Sequence, residues 1–108
     1  MFGATTYRNP SLLALARHAP HCMNPGCRAN QEGQVVAAHS NSLAHGKGMG
    51  HKAHDIPAYL CDRCHHLVDG RPEGGPLLPK AVREAMFLSA LYETILWLLQ
   101  SGHLQVKP

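Results

Sequence analysis

Two close pairs of cysteines, Cys22 with Cys27 and Cys61 with Cys64, constrain this chain more than any other feature. Four residues separate the first pair, two the second, and 33 lie between the pairs. A short loop inside a pair lets both sulfurs reach one ion at little closure cost. Zn²⁺ takes such ligands in a tetrahedron, supplied by two separated turns. The opening "MFGATTYRNP" lacks the basic segment and apolar run of a secretory signal, so a cytoplasmic location is expected, where thiols stay reduced and serve as metal ligands. The spacing therefore predicts one structural zinc on Cys22, Cys27, Cys61 and Cys64. Four thiolates leave no open coordination position, so this ion would hold the fold together and any chemistry would fall to other residues.

A staple also suits the chain's size, because 108 residues make one domain, residues 1–108, with a core that is marginal unaided. Hydrophobic residues at 44% and charged ones at 16% are globular proportions, and no run approaches the ~20 apolar residues of a membrane span. The formal charge of +3 helps in holding a phosphate backbone but falls well short of a strongly basic DNA-binding stripe.

Along the chain, Asn9 before Pro10 opens a short helix through "PSLLALARHA", stopped by Pro20, with Leu12, Leu13 and Leu15 turned inward. "CMNPGC" makes a tight turn in which Pro25 fixes φ and Gly26 accepts positive φ. "GQVVAAHS" and "IPAYLC" read as two short strands, and residues 40–55 between them as a flexible, basic loop. "DRCHHLVDG" is a knuckle running into a short helix that ends by Gly70. Residues 80–101 form the strongest helix, with Val82, Ala85, Met86, Ser89, Tyr92, Ile95, Leu96 and Leu99 as its main stripe and Gly102 just past its end. Phe87, Leu88, Leu91, Trp97 and Leu98 fall off that stripe. The surplus apolar surface suits either a homodimer through this helix or extra cover for the knuckle and the first helix.

The histidines next to the second cysteine pair form another constellation. On a helix, His65 and Asp69 are four residues apart and share a face, a spacing suited to one metal ion with positions left for water and phosphate, such as Mg²⁺ or Mn²⁺. The same spacing serves a plainer arrangement, with Asp69 capping the helix or paired to Arg71. His66 takes the place of His65 if the helix phase is shifted.

The order of parts is a cysteine pair, a β-prone run ending in His39, a loop, a second strand, and Cys-x-x-Cys-His at a helix start. "VVAAHS" and "LCDRCHHLVD" carry a resemblance to the HNH, or His-Me finger, endonucleases, over about residues 20–71. The small size and long terminal helix are most similar to the small zinc-containing, prophage-encoded nucleases of the YbcO-like kind. The resemblance implies a small α+β fold: a zinc-stapled ββα-metal core with a short N-terminal helix and a long C-terminal one. It implies a DNA phosphodiester hydrolase in which His39 is the general base and His65 a ligand of the catalytic metal, with Asp69 its companion. Many members carry an acidic ligand just before the base, where this chain has Ala38. Asp55 stands near the place of the family's middle asparagine, which supports the histidine.

Such hydrolysis needs an activated water and stabilised charge on the phosphate and the leaving oxygen. Lys47, Lys52, Arg63 and Arg71 are candidate phosphate contacts. The alternatives are a zinc-stapled DNA-binding module without catalysis, a degenerate nuclease, or a zinc domain that binds protein through its apolar helix.

Overall fold

The computed structural model describes residues 6–27, 31, 33–42, 45, 53–71 and 76–107. The first helix, α1 (Pro10–Ala14), starts as its sequence dictates: the Asn9 side chain accepts the Leu12 N–H at 3.0 Å, and Pro10 opens the first turn. Beyond Ala14 the α-helix tightens into a 3₁₀ turn, Leu15–His18, a shorter helix than the expected run to Pro20. Leu12 and Leu15 pack against the core.

At the first cysteine pair, Cys27 N–H donates to Asn24 O at 2.9 Å and closes the turn, while the Asn24 carboxamide accepts Gly26 N–H at 3.3 Å. Gly26 does not adopt the expected positive φ. The asparagine side chain closes the turn locally, so no left-handed residue is required.

The two strands, β1 (Val35–Ala38) and β2 (Ala58–Cys61), pair antiparallel with Val35 opposite Cys61 and Ala38 opposite Ala58. Helix α2 (Asp62–Val68) follows β2 directly, with Cys61 as its N-cap. It stops at Gly70, whose φ of +72° is a left-handed conformation open to glycine. The Arg83 guanidinium lies where a Cβ at Gly70 would sit, so a side chain there meets both strain and a neighbour.

Helix α3 (Lys80–Gln100) packs across β2 and α2, and Gly102, at φ +81°, ends it. Among its residues Phe87, Ala90, Thr94 and Leu98 are buried, and Met86, Leu91 and Trp97 pack beside them. This reverses the expected phase. Most of the main stripe read from the sequence, including Val82, Tyr92, Ile95, Leu96 and Leu99, faces outward, and most of the supposed surplus faces the core. Leu88 is the surplus residue that stays exposed.

Polar groups fix that phase. Among the described residues β2 has one neighbouring strand, so the other edge of Tyr59 needs partners: its N–H donates to Thr94 Oγ1 at 3.0 Å, and its carbonyl accepts Met23 N–H at 2.9 Å. Thr94 in turn donates to Ala90 O at 2.8 Å. The Tyr59 hydroxyl donates to Leu12 O at 2.5 Å and the ring meets Trp97 edge-on, tying α1, β2 and α3 together. Among the described residues the result is a small α+β fold of three helices and a two-stranded antiparallel sheet. Among the described residues no helix is long and apolar enough to cross a membrane.

Candidate functional site

The Cys22–Cys27 turn and the β2–α2 junction meet at the centre of the core. Cys22, Cys27, Cys61 and Cys64 are buried, and their four sulfurs lie within 4.8 Å of one another. Zn–S bonds of ~2.3 Å in a tetrahedron require sulfurs ~3.8 Å apart, so this cluster fits the ion. Cys27 Sγ and Cys61 Sγ are already 3.6 Å apart. The Asn24 carboxamide donates to Cys64 Sγ at 3.4 Å, a contact from outside the ligand set that favours a charged sulfur. A hydrogen bond from Cys64 holds the Cys22 thiol down to about 5 against the upward push of burial. Burial pushes Cys27 up to about 11, and Cys64 rises because Cys22 keeps its proton in place.

His39 leaves the end of β1 and meets Asp55 just before β2. Its Nε2 donates to Asp55 Oδ1 at 3.0 Å. Asp55 is buried and its carboxyl is lowered from the usual carboxylate value, chiefly by the Asn9 N–H on Oδ2 at 2.9 Å, then by His39, with Arg8 adding a charge at 3.2 Å. An ionised carboxylate only accepts hydrogen bonds, so the shared proton belongs on Nε2 and the lone pair on Nδ1. His39 keeps 34% of its side chain exposed, which leaves that ring within reach of solvent.

On α2, His65 Nε2 and Asp69 Oδ2 are 3.2 Å apart. Two cis ligands at ~2.1 Å from one ion stand about 3.0 Å apart, so the pair fits a shared divalent cation. Asp69 has other partners: Asn41 Nδ2 on Oδ1 and Arg71 Nη2 on Oδ2, each at 2.8 Å. Burial pushes the Asp69 carboxyl upward, but the Asn41 and Arg71 hydrogen bonds and the nearby His65 outweigh it and leave it lowered. Asn41 is two residues beyond His39, so at most about 7 Å of chain separates the base candidate from the segment that grips Asp69.

The other candidates are less engaged. The His66 ring stacks on His65, with centroids 6.3 Å apart, and His65 is the one paired with Asp69. Arg63 is exposed, and Arg71 is both exposed and tied to Asp69. Lys47 and Lys52 lie outside the described residues. Ala38 is fully buried opposite Ala58, so the position where the HNH resemblance would put an acidic ligand is closed by packing.

Sequence reasoning missed Asn41, Arg8 and Asn9, which act across 28 to 47 residues on the two aspartates. It also missed Lys80 and Arg83, which line a cleft with Ser40, Asn41, Ser42 and Glu84 next to Val68. The only signal available for Asn41 was its closeness to His39 in a polar segment. Comparison with known proteins gives no matching family model, no matching curated protein and no matching solved structure.

Proposed function

We propose that this chain is a zinc-stapled, metal-dependent endonuclease of the HNH type that hydrolyses DNA phosphodiester bonds. The observation that carries the reading is the oriented pair His39–Asp55, on a ββα unit whose helix carries His65 and Asp69.

In this mechanism Asp55 holds the proton on His39 Nε2, and Nδ1 takes the proton of the attacking water. His65 and Asp69 would hold Mg²⁺ or Mn²⁺, which would supply positive charge for the phosphate and the leaving oxygen. Asn41 keeps Asp69 in place, and Arg71, which is 70% exposed, swings off Oδ2 to open it. Lys80 and Arg83 grip a neighbouring phosphate in their cleft, a contact that positions the strand without reading bases. Cys22, Cys27, Cys61 and Cys64 would hold a zinc that fixes the start of α2, from which His65 and Asp69 project.

A second reading follows from the clamp on Asp69. With both oxygens engaged by Asn41 and Arg71, the same unit works as a DNA-binding module without catalysis, or as a degenerate nuclease. Nicking of supercoiled plasmid by zinc-loaded protein with added Mg²⁺ or Mn²⁺ separates the two. The nuclease reading expects relaxed circles from the wild type and at least a ~100-fold loss in His39→Ala. No cleavage of any DNA form, with DNA binding retained, selects the module.

A further inference from the structure

The outward face of α3 carries Val82, Ala85, Ser89, Tyr92, Leu96 and Leu99, all exposed. Their spacing alternates three and four residues throughout, which is the a and d pattern of a heptad seam, sustained over residues 82–99. The core-facing Phe87, Ala90, Thr94 and Leu98 occupy other heptad positions. The helix therefore has two apolar sides. Val82 and Leu99 are each 44% exposed, Leu96 37% and Tyr92 68%, with Leu88 and Ile95 flanking them, also exposed.

Size is graded along this seam. Its first half is small, Ala85 and Ser89, and borders a shallow groove between α3 and the Asn24–Gly26 turn of the first cysteine pair. Its second half is large: Tyr92, Leu96 and Leu99. We infer that this face binds a second copy of the chain, with the two α3 helices antiparallel about a two-fold axis level with Ala90 and Leu91. Ala85 then meets the partner's Leu96, Ser89 meets the partner's Tyr92, and Val82 meets the partner's Leu99. Every large residue of the second half thus faces a smaller one, and the groove receives the partner's bulk.

A parallel pairing would stack Ser89 on the partner's Ser89 and Tyr92 on the partner's Tyr92, leaving a void in one layer and a clash in the next. The antiparallel pairing also opposes the two helix dipoles. Self-complementarity of one surface is what a two-fold dimer requires, and it is why the occupant is a second copy and not an unrelated helix.

Sedimentation equilibrium of the full, zinc-loaded chain tests this. The wild type is expected to be dimeric at tens of micromolar, and Ser89→Tyr and Tyr92→Ser each to weaken the dimer by about tenfold or more. The double variant S89Y/Y92S exchanges bump and hole within the Ser89–Tyr92 layers and is expected to return to within about threefold of the wild type. Both residues are exposed, so helicity and zinc content should not change, and circular dichroism and metal analysis check this. A wild type that stays monomeric to about 100 µM, or that forms assemblies larger than a dimer, overturns the inference. A double variant no tighter than the weaker single one overturns the antiparallel arrangement.

Discussion

Asp55 is a buried acid with three donors on it: the Asn9 backbone N–H, the His39 ring and the Arg8 guanidinium. All three favour its charged form, so its folded pKa lies below the unfolded value of ~3.9. A depressed carboxyl contributes stability that is complete above the unfolded pKa and is lost as pH falls through the folded one. Asp55→Asn, which removes the charge, should therefore lower the urea midpoint at neutral pH, and the gap to the wild type should close as pH drops below about 4. A gap unchanged from pH 7 to pH 3 would mean the charge contributes nothing. The resemblance offered Asp55 as a possible partner of His39, and the two side chains do meet. Its clamp by Arg8 and Asn9 was not, since contacts across 46 and 47 residues leave no local pattern.

At the scale of elements, the boundaries of β1, β2, α2 and α3 were legible from β-prone runs, the cysteine knuckle and the glycines at 70 and 102. The phase of α3 was not. A helix apolar on both sides offers two stripes, and periodicity alone favours the more regular one, which here faces out. What chooses the inward side is the hydrogen-bond need of β2: Tyr59 N–H requires an acceptor, and among the described residues Thr94 provides it from the middle of the helix. Thr94→Val keeps the shape and removes the acceptor, leaving a buried N–H unpaired. The expected loss is about 1–3 kcal/mol in chemical denaturation. A change below about 0.5 kcal/mol would show that α3 is held by apolar packing alone.

For the whole molecule, the core is built largely of small residues around four cysteines, with Tyr59, Met23 and Leu60 as its largest fully buried side chains. Such a core depends on the sulfur cluster at its centre, and structural zinc binding in small domains is itself folding energy. The same segment, Cys61–Asp69, supplies two cysteines to that closed cluster and the His65–Asp69 pair beside it. The cysteine spacing made the first of these legible; the second rested on a helical spacing whose partner, Asn41, could not be foreseen. The proposed function needs one small fold to hold a closed zinc cage and, beside it, a divalent site on His65 and Asp69. Anomalous maps from zinc-loaded crystals soaked in Mn²⁺, recorded at the zinc and manganese edges, test it directly. The expected result is a zinc peak among the four sulfurs, a manganese peak between His65 Nε2 and Asp69 Oδ2, and Arg71 displaced. A zinc peak alone, with Arg71 still on Asp69, would rule out the divalent site, and no metal among the cysteines would rule out the zinc cage as well.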